Sequence, residues 1–191
     1  MRRIIVGISG ASGAIYGIRT LEALKAVPEV ETHLVMSPSA GQTVIDETDW
    51  NVADVRALAD VVHNQKDIGA SLSSGSFKTD GMIVAPCSVK TLSGIVNSYD
   101  DNLLTRAADV CLKEARRVVL LVRETPMHQG HLELMTRAAR YGAIVMPPVP
   151  AFYHRPKTLD DVINHTVGKA LDLFNIEHNL FPRWKDSAPK Q

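Results

Sequence analysis

The chain has 191 residues, of which 45% are apolar and 22% are charged, so it fits one globular domain and is not disordered over most of its length. Lysine plus arginine and aspartate plus glutamate number 21 each, and the net charge is therefore zero. No global field attracts nucleic acid or an anionic membrane, so we expect neither partner and any anion site must be local.

Five short runs rich in β-branched residues predict strands. They are Arg3–Ile8, Glu31–Met36, Met82–Ala85, Arg117–Val122 and Ala143–Met146. Most are continuously apolar, which is typical of parallel strands covered on both faces. Helical patterns lie between or after them, at Ala14–Val27, Asn102–Glu114, His131–Tyr141 and from about Thr158. This alternation predicts an α/β fold, a single-domain doubly wound parallel sheet of the Rossmann or flavodoxin-like sandwich type.

Two stretches depart from the alternation of strand and helix. Ile68–Asp80 contains four serines and two glycines and is predicted to be a loop. The proline-rich stretch Met146–Pro150 predicts a sharp turn before the last helix, which Thr158 can cap. We expect one domain over residues 1–185 and a flexible tail over 186–191.

The turn Gly7–Ala14 follows the first strand and opens the first helix. Backbone N–H groups and the helix dipole bind anionic or polar ligands at such a place, so the turn suggests a nucleotide site. A glycine turn alone is also compatible with tight packing between strand and helix. Both interpretations stay open on spacing alone.

Hydroxyl groups follow two other predicted strands. A dinucleotide site requires an acidic residue after the second strand, but Ser37 stands in that region, which disfavours NAD. The Met82–Ala85 strand runs into Ser88 and Thr91. Carboxyl ends of parallel strands share one edge, so these turns should converge on a ligand, although Ser88 and Thr91 are equally suited to helix capping.

Many motifs in order along nearly the whole chain resemble the flavin prenyltransferase (UbiX) family. They are Gly10–Gly13, Pro86–Leu92, Asp101–Val110, Leu112–Glu114, Arg123–Pro126, Gly142–Ala143, Pro147, Phe152–His154 and Pro182–Trp184. The resemblance implies an enzyme that binds reduced FMN and dimethylallyl phosphate and joins the dimethylallyl group to N5 and C6 of the flavin. It also implies a homo-oligomer, a dodecamer, whose prenylated FMN serves a UbiD-type decarboxylase.

The resemblance also implies roles for individual residues. FMN would contact Gly10, Ala11, Ser12, Ser37, Ser88, Val89, Lys90, Thr91 and Arg123. The allyl phosphate would contact Ser74, Arg106, Lys113, Arg123, Tyr153, Lys169 and Trp184. Ser12, Glu47 and Glu124 would be catalytic. From the sequence alone, Glu47 could instead be a solvated helix end, Glu124 a partner of Arg123, Arg106 and Lys113 exposed helix cations, and Trp184 a packing residue for the tail or another subunit.

Two other functions stay open. A flavin-dependent decarboxylase of the phosphopantothenoylcysteine type shares this fold, but that group has a histidine after the second strand, and Ser37–Asp49 has none. A non-catalytic FMN carrier needs no second phosphate site, against which Lys113, Tyr153 and Lys169 argue. The choice between monophosphate and diphosphate donors, and the pathway that the product serves, stay open as well.

Metal, membrane and disulfide chemistry are not expected. His128 and His131 have no clear carboxylate partner, so we predict no metal and a metal-independent transferase. The longest aliphatic run, Val118–Val122, is far short of the ~20 residues that span a bilayer. Cys87 and Cys111 are too few for a disulfide framework and suit a reducing compartment, so we predict a cytoplasmic protein.

Overall fold

Six parallel strands form one sheet in the computed structural model, which describes residues 1–184. The strands are β1 Arg2–Ile8, β2 Val30–Met36, β3 Val61–His63, β4 Gly81–Cys87, β5 Arg117–Val122 and β6 Ile144–Val145. Their spatial order is β3-β2-β1-β4-β5-β6. The strand order reverses between β1 and β4, and a ligand crevice is expected outside the carboxyl ends of these two strands.

Seven helices within residues 1–184 cover the two faces of the sheet. They are α1 Ala14–Lys25, α2 Pro38–Glu47, α3 Val52–Arg56, α4 Val89–Val96, α5 Leu103–Lys113, α6 Gln129–Arg140 and α7 Leu159–Asp172. Helices α1, α2, α3 and α7 share one buried apolar cluster with Ile4 and Val6, whereas α4, α5 and α6 share another with Ile5. Alternate residues of β1 thus face opposite helix layers, which confirms the predicted doubly wound sandwich.

The predicted elements differ from the observed ones mainly where an element is short. Strand β3 was not predicted, and neither were α2 and α3. The predicted loop over residues 68–80 contains only a single 3-10 turn at Ser71–Ser73. Helix α6 begins two residues before the predicted start because His128 Nδ1 accepts a hydrogen bond from the Gly130 N–H at 3.0 Å and caps it.

The predicted tail, residues 186–191, lies outside the described residues. Across residues 1–184, no helix combines the length and the apolar character needed to cross a bilayer.

Candidate functional site

A cavity of about 710 Å³ opens at the carboxyl edge of the sheet. Its lining includes five residues that the sequence assigned to flavin, which are Gly10, Ser37, Ser88, Lys90 and Thr91. The volume is within the range of small-molecule sites. Six further polar residues line the cavity, and none of them was predicted to have a role. They are Gln65, Asn97, Tyr99, Asp101, Asn102 and Thr105. Three of these residues lie in the Asp101–Val110 motif, and this was the one sequence signal that they could have a role. They are Asp101, Asn102 and Thr105.

Two serines of this cavity cap helices. Ser37 Oγ accepts a hydrogen bond from the Ala40 N–H at 3.0 Å at the start of α2. Ser88 Oγ accepts one from the Thr91 N–H at 3.2 Å at the start of α4. The Ser37 hydroxyl can cap α2 and still donate its proton to a ligand, whereas Ser88 Oγ donates to Thr91 Oγ1 at 3.1 Å, which leaves the Thr91 hydroxyl proton for a ligand. Two helix N-termini therefore point toward one cavity, an arrangement that favours an anionic ligand.

Ser9 links the β1–α1 turn to the β4–α4 turn across the crevice. This role was not predicted from the sequence. The side chain is 1% exposed. Its hydroxyl donates to the Pro86 carbonyl at 2.8 Å and accepts from the Ser88 N–H at 2.8 Å. The β1–α1 turn is thereby held in register with the β4–α4 turn. The only sequence signal was a serine inside the Gly7–Ala14 turn, directly before Gly10.

Gly10 is required where the β1–α1 turn contacts α2. A Cβ atom at this position would lie 2.3 Å from the Cβ of Ser39 and 3.2 Å from the Ser39 carbonyl carbon. Any larger residue would push the turn and the helix apart. The glycine that sequence analysis assigned to ligand binding thus also has the close-packing role that the alternative interpretation proposed.

A second cavity of about 570 Å³ contains all three candidate catalytic residues and Arg123. Glu47, at the end of α2, accepts a hydrogen bond from the Gly13 N–H at 2.7 Å. Gly13 adopts φ 100°, a left-handed conformation that favours glycine. This contact holds the carboxylate beside Ser12, so Glu47 is not a free helix end.

Arg123 enters the second cavity from the end of β5. Its backbone N–H donates to the Cys87 carbonyl at 3.0 Å, which ties this strand end to that of β4. The neighbouring Glu124 accepts a hydrogen bond from the Thr125 N–H at 3.0 Å. Burial raises the pKa of the Tyr16 hydroxyl in the same cavity, and the positive charge of Arg123 partly opposes that rise.

Three of the candidate phosphate residues lie along the α5 side of the sheet. Arg106 donates to Asp100 at 3.1 Å, to Asp109 at 3.2 Å and to the Ser73 carbonyl at 3.3 Å. Lys113, at the end of α5, forms an ion pair with Glu114. Ser74 shares a hydrogen bond of 2.8 Å with Ser76 in the adjoining loop.

Three others lie along α7, on the opposite side of the sheet. The Tyr153 ring meets the edge of Trp184 with centroids 5.2 Å apart. Lys169 Nζ lies 3.5 Å from Asp172 Oδ2 and its side chain is about half exposed. Trp184 is 65% exposed and contacts Tyr153.

The candidate phosphate residues therefore do not meet at one site within a single chain. Helices α5 and α7 pack on opposite faces of the sheet, and neither Lys113 nor Lys169 lines the cavity of Arg123 within residues 1–184. Ala11 and Val89 lie in the flavin-side turns but line neither cavity. One chain places most of the residues expected to contact FMN at these two cavities. The residues expected to contact the allyl phosphate lie on both faces of the sheet.

Neither cysteine is suited to nucleophilic chemistry. Burial raises the pKa of Cys87 to about 12 and that of Cys111 to about 11, so both are thiols at neutral pH. Both are free and buried. In the part of the chain that the structure describes, no three histidine, cysteine or acidic residues are grouped as a metal site.

Comparison with known proteins gives similarity over nearly the whole chain. Residues 1–170 match the flavoprotein family. The chain is 65% identical over 187 residues to flavin prenyltransferase UbiX of Escherichia coli K12, covering 97% of this chain and 99% of that protein. It is 59% identical over 189 residues to UbiX of Thauera aromatica, with coverages of 99% and 97%.

Two solved structures are similar in both fold and sequence. AnUbiX in complex with FMN and dimethylallyl pyrophosphate superimposes with a TM-score of 0.94 at 52% identity, covering 96% of this chain and 97% of that one. A dodecameric FMN-dependent UbiX-like decarboxylase from Escherichia coli O157:H7 also gives 0.94 at 52% identity, with coverages of 95% and 98%.

Proposed function

Because the chain belongs to the flavoprotein family and, within it, to the UbiX flavin prenyltransferases, we propose that it transfers the dimethylallyl group of dimethylallyl phosphate to reduced FMN. The observation that carries this proposal is the pair of neighbouring cavities at the carboxyl edge of the sheet. One is lined by capped helix starts, and the other contains Ser12, Glu47, Arg123 and Glu124.

FMN is the acceptor substrate in this proposal. Its ribityl phosphate would accept hydrogen bonds at the starts of α2 and α4, where Ser37, Ser88 and Thr91 present hydroxyl groups and Lys90 supplies a positive charge. Ala11 and Val89 would contribute backbone rather than side-chain contacts. The flavin ring would extend toward Ser12 and Arg123 in the second cavity.

The donor reacts by ionisation of its C–O bond. The phosphate gains negative charge as the allyl cation forms, so groups that contact the phosphate stabilise the transition state more than the bound substrate. Arg123, Lys113, Tyr153 and Lys169 would supply that stabilisation, with Ser74, Arg106 and Trp184 completing the site. We propose that these charges replace a metal ion.

Two bonds to the flavin then form. The allyl carbon bonds to N5, which loses its proton, and ring closure bonds the five-carbon unit to C6. Ring closure adds a proton to the alkene and removes one from C6, and Glu47 would transfer these protons beside Ser12. Glu124 would exchange a proton with the departing phosphate. Atoms and charge balance as prenylated FMN plus inorganic phosphate.

A homo-oligomer completes the site. The α5 residues and the α7 residues lie on opposite faces of one sheet, so Lys113 of one copy would reach the Tyr153 and Lys169 of another. The dodecameric relative supports the dodecamer that we propose here. The exposed ring of Trp184 would become buried at that contact.

The recipient of the product is proposed to be a UbiD-type decarboxylase, with a cytoplasmic location. The ring added to the flavin would make it a cofactor for that decarboxylase, because this protein would release it as a product. Free buried thiols at Cys87 and Cys111 support the reducing compartment.

The function is tested by incubating the protein with reduced FMN and dimethylallyl phosphate and measuring the flavin by mass spectrometry. We expect a product heavier by one five-carbon unit. Unchanged FMN would favour the carrier function, and carbon dioxide release from a phosphopantothenoylcysteine-type substrate would favour the decarboxylase. An arm with dimethylallyl diphosphate decides which donor is preferred.

A further inference from the structure

His165 of α7 lies directly against Tyr153. Its Nε2 atom is 2.9 Å from the Tyr153 hydroxyl oxygen, within hydrogen-bond distance. His165 is only 9% exposed, whereas Tyr153 is 44% exposed. A buried imidazole thus contacts the hydroxyl of a residue whose other side is open to a ligand.

Aromatic contacts fix the orientation of both rings. His154 stacks on His165 with centroids 4.8 Å apart and planes within 6°, and Phe181 lies 4.6 Å from His165. The Trp184 ring packs on Tyr153 in a T-shaped arrangement, with centroids 5.2 Å apart. These contacts restrict rotation of both rings and keep His165 Nε2 within hydrogen-bond distance of the Tyr153 hydroxyl oxygen.

The surroundings favour the neutral form of His165. Burial lowers its pKa, the nearby His154 and Lys169 lower it further, and Asp172 opposes them. Within residues 1–184, these groups and Tyr153 are the titratable groups that act on the ring, and Arg183 donates to Asp172. A neutral imidazole has one N–H group, which can be on either nitrogen.

The position of that proton decides what Tyr153 can do. With the proton on Nδ1, Nε2 accepts the tyrosine hydroxyl proton, which is then turned away from any ligand. With the proton on Nε2, His165 donates to the tyrosine oxygen and leaves the hydroxyl proton free. A phosphate offers acceptors, so its binding favours the second arrangement.

We propose that His165 is a positioning residue for the donor phosphate, its Nε2–H donating to Tyr153 so that the Tyr153 hydroxyl donates to the phosphate. This inference rests on the proposed function. Hydrogen bonds in series polarise one another, so the pair strengthens as the leaving phosphate gains charge. His165 therefore acts through Tyr153, without contacting the substrate.

The test compares His165→Leu, which removes the donor, with His165→Gln, whose amide can still donate to Tyr153. We expect His165→Leu to lower kcat/KM for dimethylallyl phosphate by about 10-fold, the usual effect of losing one hydrogen bond near a charged group. His165→Gln should recover most of that loss. The Kd for FMN should stay unchanged in both variants, and His63→Gln, in strand β3, should behave as wild type.

A double-mutant cycle with Tyr153→Phe separates positioning from packing. If His165 acts through Tyr153, adding His165→Leu to Tyr153→Phe should cause no further loss of kcat/KM. Calorimetric binding of dimethylallyl phosphate to the FMN-loaded protein and thermal melting are measured for every variant.

Three results would overturn the His165 proposal. They are wild-type donor kinetics in His165→Leu, losses that add to those of Tyr153→Phe, and a His165→Gln variant as weak as His165→Leu. If the first result came with a lower melting temperature, it would assign His165 to packing alone. A wild-type protein that forms no prenylated FMN would contradict the proposed function instead.

Discussion

Glu47 shows how one hydrogen bond converts an exposed carboxylate into a positioned group. The Gly13 N–H at 2.7 Å holds it at the turn that carries Ser12, in the cavity that also contains Arg123. Without this contact, a carboxylate at the end of α2 would be solvated and mobile. This position supports the proposal that Glu47 carries out the proton transfers of ring closure.

Replacing Glu47 by glutamine should slow catalysis and preserve flavin binding. The amide oxygen can still accept from Gly13, but the side chain no longer transfers a proton, so kcat should fall by about 10²- to 10⁴-fold. Single-turnover kinetics and FMN titration measure the two quantities. Full turnover in Glu47→Gln would show that the proposed proton role is wrong.

Cys87 lies in the same region and is expected to be unreactive. Its pKa of about 12 leaves almost no thiolate at neutral pH, and the side chain is fully buried. Cys87→Ala should therefore keep turnover within about twofold and lose at most some stability through a small cavity. Iodoacetamide should not modify Cys87 in the native protein. Inactivation by alkylation at this residue would reopen a nucleophilic role.

At the scale of elements, the turn β1–α1 and helix α2 form one unit. Ser9 fastens the turn to β4–α4, and Gly10 allows the turn to contact Ser39 of α2. The shape of the 710 Å³ cavity depends on the close contact between this turn and α2, because Gly10, Ser37 and Ser39 all line that cavity.

Gly10→Ala should weaken FMN binding and destabilise the fold by about 1–3 kcal/mol, the usual cost of overpacking. Ser39→Gly in the same chain removes the nearest atom and should restore part of the loss. The matched control is Gly41→Ala in α2, whose Cβ would meet only Val52 at 3.6 Å. FMN titration and thermal melting check all three variants. Wild-type affinity in Gly10→Ala would contradict the packing role.

The sequence predicted those elements whose burial leaves a composition signal. Largely apolar runs marked β1, β4 and β5, because helices cover both faces of each, whereas β2 was marked by its β-branched residues and the apolar stretch Leu34–Met36. Strand β3 has only three residues and exposes Val61 and Val62 by 37% and 44%, so it has neither the length nor the burial that a pattern requires. Helix α2 was missed although Ser37 and Pro38 form a capped start.

Only those residues of the candidate site that lie at the carboxyl edge of the sheet could be expected from the sequence to lie together. The flavin turns follow strand ends, and topology alone brings Gly10, Ser37 and Ser88 together. The α5 and α7 residues lie on opposite faces of the sheet, and no pattern within one chain specifies how copies assemble. The contact between Tyr153 and His165 depends on a folded irregular segment and was likewise not predictable.

At the scale of the whole molecule, a divided phosphate site should allow two inactive variants to complement each other. Lys113→Ala and Lys169→Ala should each lower donor kcat/KM while leaving FMN affinity within a few fold. When the two are coexpressed, a site shared by two copies should be intact in about a quarter of cases. Recovered turnover in the mixed oligomer is the expected result.

Turnover is measured per bound FMN, and each variant alone is the control. Light scattering gives the mass of the oligomer. Activity in the mixture no higher than in either variant alone would contradict a site shared between copies. A monomeric mass at the working concentration would contradict it as well.

The central claim is a stoichiometric transfer from an allyl phosphate to reduced FMN by protein groups alone. The most direct measurement determines inorganic phosphate and prenylated FMN in the same quenched samples, anaerobically, with and without EDTA. We predict equal amounts of the two products at every time point and no effect of EDTA. Phosphate release without a heavier flavin, or activity that EDTA abolishes and magnesium restores, would contradict the claim.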